Sequence, residues 1–183
     1  MSTAVELSHG QFATLEALAD TVVPGRKRWP TDRAVAGVDD TPGAVEAGAM
    51  AVLTHPAAGI SDGVAAMADL LNEHARESAG DPLDCAPFVS LAYDARVALL
   101  QRLCAPETPS RELWFLVMLF AYMAYDSAPH LDTATAVRSG HPGLKAMGFL
   151  PPDADGLWRN REHGYGVATA EPRPGTDAQG NLP

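Results

Sequence analysis

Between residues 8 and 24 apolar side chains recur at the spacing of one helical face: Phe12, Leu15, Leu18, Ala19 and Val22. Ser8, with Gln11 three residues later, reads as a capping box, and Pro24-Gly25 stops the helix. Residues 25–40 are charged, carry Gly and Pro, and hold no sustained period, which predicts a loop. Thr41-Pro42 then supplies a cap followed by proline at the first helical position. The small, mostly apolar segment 44–53 predicts a second helix, with Ala44 and Gly48, and Ala47 and Ala51, one turn apart. A neighbouring helix could approach it closely, so it is expected as a central packing element. His55-Pro56 ends it.

Ser61-Asp62 opens a third helix reaching about Ala79-Gly80. Val64, Met67, Leu71 and His74 form its stripe, and Glu73, Arg76 and Glu77 face solvent. After the break at Asp81-Pro82, Phe88 and Leu91 lead into a fourth helix. It carries Ala95, Val97, Leu99, Leu100 and Leu103 and ends before Pro106. Thr108 or Ser110 caps a fifth, from Arg111 to about Asp126, whose segment LWFLVMLFAYMAY (113–125) contains no charge. That run is short of the roughly 20 apolar residues a bilayer demands, so it predicts a helix buried on most sides. Pro142 to Met147 reads as a short helix ended by Gly148.

The fold class expected is therefore all-α: a compact bundle of about five to six helices over residues 1–150. Residues 151–183 form an irregular C-terminal arm and tail of the same domain, rich in Pro and Gly. Trp158 and Tyr165 in that arm, with Phe149 just before it, are candidate partner-binding residues, because aromatic rings anchor interfaces.

Composition narrows the partners. Thirteen Lys and Arg stand against 23 Asp and Glu, for a formal net charge of -10. Such a surface repels phosphate backbones and anionic lipid. The first 20 residues lack a basic region followed by a long apolar one, and Arg26-Lys27-Arg28 is followed by Trp-Pro-Thr-Asp. Neither reads as an export signal, and the expected location is the cytoplasm. Cys85 and Cys104 make no disulfide framework and no zinc spacing, and two buried free thiols are the simpler reading.

Catalytic signatures are sparse. One Glu-x-x-His spacing occurs, Glu6 to His9, where a di-iron bundle needs two. Gly164-Tyr165-Gly166 begins like a dinucleotide fingerprint, but Thr169 stands at the third glycine and no strand precedes it. No metal or cofactor is expected in this chain. His9, His55, His130 and His141 read as surface groups and His74 as a core-edge histidine. A small cofactor-free enzyme, a cyclase or isomerase with a pocket between helices, would use His163 and Glu162 for proton transfer. Tyr165 would donate a hydrogen bond and Asp126 would serve as second acid.

Three phrases in order carry a resemblance: TLEALADTVVPG (14–25), TPGAVEAGAMAVL (41–53) and FVSLAYDARVALLQRL (88–103). A buried aromatic helix follows, and then Gly148-Phe149, Trp158 and Gly164-Tyr165-Gly166. Together they resemble the gluconate 2-dehydrogenase subunit 3 family over most of residues 10–166. The resemblance implies a small helical accessory subunit bound to an FAD-dependent oxidoreductase of the glucose–methanol–choline type, with the FAD in the partner. It supplies no catalytic residues to carry over. Many members of that family bear a twin-arginine export signal, and its absence here points to a cytoplasmic flavoprotein partner. A third reading, a self-associating helical scaffold, rests on the same surplus of aromatic surface.

Overall fold

The computed structural model describes residues 5–79 and 86–149. The chain divides into two units, Met1–Phe149 and Leu150–Pro183, and the described residues all fall in the first. Among them the secondary structure is helical throughout: α1 (His9–Val22), α2 (Ala49–Leu53), α3 (Val64–Ala79), α4 (Pro87–Ser90), α5 (Tyr93–Leu103), α6 (Arg111–Asp126), α7 (Thr133–Arg138) and α8 (Pro142–Ala146). The all-α expectation holds.

The capping box forms as read. The Ser8 N–H donates to Gln11 Oε1 at 2.9 Å, and the Gln11 N–H donates to Ser8 Oγ at 3.2 Å. The core gathers Leu15 and Leu18 of α1, Leu53 of α2, Leu71 of α3, Phe88 of α4, Leu99 of α5, and Trp114 and Val117 of α6. Within it, Asn72 is 4% exposed. Its side-chain amide donates to Thr14 Oγ1 at 2.9 Å, and its carbonyl accepts the Phe88 N–H at 3.1 Å. One side chain so ties α1, α3 and α4 together.

Two boundaries and the manner of one cap differ from the sequence reading, whose fifth helix, Arg111 to Asp126, keeps its bounds as α6. The second helix begins at Ala49, five residues later than expected, because the chain makes a single turn and then breaks. The Ala49 N–H reaches Ala44 O at 3.0 Å and the Gly48 N–H reaches Val45 O at 3.2 Å, with Gly48 at φ 93. This is a helix-terminating turn that places glycine in the left-handed region, where other residues are strained. The short α2 nevertheless lies against α6 as a central element. The fourth predicted helix divides into α4 and α5 at Leu91-Ala92, where the backbone turns extended. Finally, Ser110 holds the N-cap position of α6, one of the two residues read for it, but at φ 64 its side chain makes no capping hydrogen bond, and Thr108 Oγ1 donates to Arg102 O at 2.8 Å.

The loop 25–40 is held by backbone crossing. Arg26 N–H donates to Thr41 O at 2.8 Å and Ala44 N–H to Val23 O at 3.0 Å. The two Pro-Gly phrases thus meet. A Cβ on Gly25 would lie 2.4 Å from Gly43 N, and one on Gly43 would lie 2.6 Å from Val23 O. Only glycine fits on both sides. Gly43→Ala is expected to destabilise the fold by about 1–3 kcal/mol, since the clash is with backbone. Urea melts of the two proteins measure it, and an unchanged midpoint would contradict the crossing.

Candidate functional site

The sequence predicted α6 to be buried on most sides; the structure corrects this. Trp114, Val117, Ala121 and Ala124, at spacings of three and four, face the core. Leu113, Phe115, Leu119 and Tyr122 are exposed, Phe115 by 60%. An uncharged run conceals which face is which, because no charged side chain marks the solvent side. The available signal was size. Ala121 and Ala124 alternate with Phe120, Tyr122 and Tyr125, and the small residues mark the side on which another helix packs.

The exposed face closes one wall of a groove of about 480 Å³, lined on the α6 side by Phe115, Met118, Leu119 and Tyr122. Val22 of α1 and Val97, Leu100 and Cys104 of α5 form the other walls. Among the described residues, Thr21 and Gln101 bring the other polar side chains to its lining beside the Tyr122 hydroxyl. Burial pushes the Cys104 thiol up, against the pull of Arg111, so it is protonated at neutral pH and is a poor nucleophile. The groove can bind apolar surface. It presents no convergent acid and base.

A second concavity, of about 470 Å³, lies between the start of α1 and the loop 28–34. Its charged groups answer one another. Arg28 forks onto both oxygens of Glu16, and onto Asp32 through Nε at 2.7 Å, while its guanidinium lies 4.5 Å from the Trp29 ring centre. The Glu16 hydrogen bonds raise the Arg28 pKa further. Burial tends to lift the Asp32 carboxyl, but Arg28 and the Val35 N–H outweigh it and hold the group low. Both carboxylates accept from Arg28, and Asp32, held low, is not a proton donor near neutrality.

Behind them Asp20 and Arg96, 1% and 3% exposed, stand 4.0 Å apart. Asp20 accepts from Gly25 N–H at 3.1 Å and Ala36 N–H at 2.8 Å, fastening the loop to the end of α1. Its pKa is raised, burial outweighing those hydrogen bonds and the Arg96 charge. Arg96 donates to the carbonyls of Val89 at 2.7 Å, Ala34 at 2.8 Å, Arg33 at 3.0 Å and Leu91 at 3.2 Å. It therefore satisfies oxygens freed where α4 and α5 part. The sequence reading missed this pair, although Arg96 precedes Leu99, Leu100 and Leu103 in one apolar register.

Of the residues singled out from sequence, Phe149 lies three residues past α8 and is 52% exposed. Asp126 ends α6, half-buried, and its Oδ1 is buried without a hydrogen-bond partner. Trp158, Glu162, His163, Tyr165 and Cys85 lie outside the described residues. His74 meets Trp114 edge-on at 6.1 Å, as a core-edge histidine would. The surface reading fails for two others. His141 is 5% exposed and caps α8, and the half-buried His130 packs on Gly48. An adjoining proline marks a turn but says nothing of what that turn packs against. Among the described residues no cluster of three or more His, Cys, Asp or Glu is placed to hold a metal ion, and no helix is long and apolar enough to cross a membrane.

Among the described residues, fold and surface define an all-α unit with a carbon-lined groove, and a set of charges, Glu16, Asp20, Arg28, Asp32 and Arg96, that pair with one another. A family model described as a family of unknown function (DUF5987) matches residues 9–183. The chain belongs to that family. No curated protein and no solved structure matches it.

Proposed function

We propose that this chain is a non-catalytic small subunit that binds and stabilises an FAD-dependent oxidoreductase of the glucose–methanol–choline type. The observation that carries the reading is the uncovered apolar face of α6, where Phe115, Leu119 and Tyr122 stand along one groove. A contiguous apolar surface marks a site of association. The three phrases that resemble the gluconate 2-dehydrogenase subunit 3 family supply the partner class. Phe149, Trp158 and Tyr165 are the further contacts proposed. The flavin chemistry belongs to the partner, and the complex is proposed to be cytoplasmic.

Co-expression with such a flavoprotein from the same source tests it. The expected result is one co-eluting, yellow complex, and a partner that is poorly soluble when expressed alone. The double substitution Phe115→Asp with Leu119→Asp should weaken the complex by roughly 100-fold or more while leaving the circular-dichroism melt of the free chain unchanged. Separate elution of the two wild-type proteins would overturn the proposal. Turnover of a substrate by the purified chain alone, abolished in His163→Ala, would instead favour the cofactor-free cyclase or isomerase built on His163, Glu162, Tyr165 and Asp126.

A further inference from the structure

Three imidazoles meet where the α7–α8 segment joins the body of the fold. His141 spans the joint: its Nε2 lies 2.9 Å from Ala47 O, and its Nδ1 accepts the Leu144 N–H at 3.4 Å. A carbonyl can only accept and an amide only donate, so this geometry uses the ring with its proton on Nε2 and a lone pair on Nδ1. His55 likewise spends an Nδ1 lone pair, on the Ala57 N–H at 3.1 Å. The His130 ring centre is 5.9 Å from that of His141, and the ring is near enough to His55 to feel its charge. It packs so close to Gly48 that a Cβ there would sit 2.5 Å from Nε2. Its Nδ1 is buried with no hydrogen-bond partner.

The turn that presents His130 is itself held under strain. Ala128, two residues earlier and 1% exposed, has φ 48, a conformation that a non-glycine residue keeps only while its surroundings enforce it. On the other side, Gly143 of α8 touches the end of α6 so closely that a Cβ would fall 1.9 Å from Tyr125 O. The α7–α8 segment therefore has a tight seat, and two imidazoles, His130 and His141, bear on the Ala47-Gly48 turn.

We propose that this corner is an acid-sensitive latch, in which protonation of the imidazoles releases the α7–α8 segment from the Ala47-Gly48 turn. A proton on His141 Nδ1 removes the acceptor that caps α8, and a proton on His55 Nδ1 removes the acceptor at Ala57. A proton on His130 places a charge in a buried seat beside two other imidazoles. No carboxylate is among the groups that act on the His130 ring, which are His141 and His55, and Asp132 accepts from the Thr135 N–H at 2.9 Å. Burial first, then the charges of His141 and His55, hold the His130 pKa below its ordinary value. The sign follows. A histidine depressed in the folded state supports the fold above its unfolded value, near 6.5, and that support is lost as pH falls through the folded value. The latch is a property of this chain alone and stands whether or not a flavoprotein binds it.

Hydrogen exchange on the full chain, corrected for the intrinsic pH dependence of exchange, tests the latch. Between about pH 7.5 and about pH 5 the amides of His141, Leu144 and Lys145 should lose protection by at least tenfold, while those of α3 and of residues 114–124 keep theirs. In His130→Gln, whose side chain cannot take the charge, the acid response should shrink by most of its size. Flat protection down to about pH 5, an equal loss in every helix, or a full response in His130→Gln each overturns the proposal. Should His130→Gln leave the segment open at both pH values, the ring signals of the wild type decide. The His130 Cε1–H must titrate in step with the loss of protection, and titration under an intact α7–α8 segment overturns the latch.

Discussion

Replacing Arg96 with methionine lowers the stability of the fold by about 3–5 kcal/mol, the range seen when one partner of a buried ion pair is removed. Methionine refills much of the volume, so the loss is chiefly electrostatic. Four backbone carbonyls lose their donor, and Asp20, 1% exposed, loses the cation 4.0 Å from it. The pH dependence identifies the cause. Burial already raises the Asp20 pKa, and Arg96 is one of the influences that restrain it. Without Arg96 the carboxyl rises further. A carboxyl raised in the folded state takes up its proton more readily there than in the unfolded chain, so stability increases as pH falls from neutrality. The gap between Arg96→Met and wild type should therefore narrow from about pH 7 to about pH 5 in urea melts. A gap that stays constant would assign the loss to packing. Arg96→Lys keeps the charge but not the planar fork over the carbonyls, and falls between the two.

Trp114→Ala is expected to cost about 3–5 kcal/mol, as for other large aromatic truncations in a core. Trp114 is 2% exposed, near the start of α6, with the His74 ring against its edge and Leu71, Val117 and Leu99 in the same core. Thermal and urea melts should move together, with near-ultraviolet circular dichroism losing the contribution of Trp114 but not those of Trp29 and Trp158. A loss under about 1 kcal/mol would mean that the α3–α6 seam can collapse around the cavity.

The helices themselves were legible wherever one face was apolar and the other polar. In α1 a capping box and a Pro-Gly stop bracketed the stripe, and both boundaries fell where the residues placed them. In α3 the stripe of Val64, Met67 and Leu71 is the buried face. Legibility failed where local rules gave way to tertiary ones. Thr41-Pro42 is a sound start signal, but the crossing at Gly25 and Gly43 lets only one turn form before Gly48 ends it. The exposed apolar face of α6 was hidden because no charge in residues 113–125 marks the solvent side. The Asp20–Arg96 pair was hidden for the opposite reason. Each looks like an ordinary surface charge until the loop 25–36 folds over it, and that closure depends on contacts far apart in sequence.

The Gly25–Gly43 crossing has a consequence for how this chain can vary. Because the stretch between the two glycines is cinched at its base, it behaves as a handle rather than a strut, and its outer end at Val38, Asp39 and Asp40 is exposed. Lengthening a closed handle adds only a slowly growing entropic cost, about 0.6 kcal/mol per doubling. Change can therefore accumulate at that tip while the glycines beneath it, and the helices they align, stay as they are.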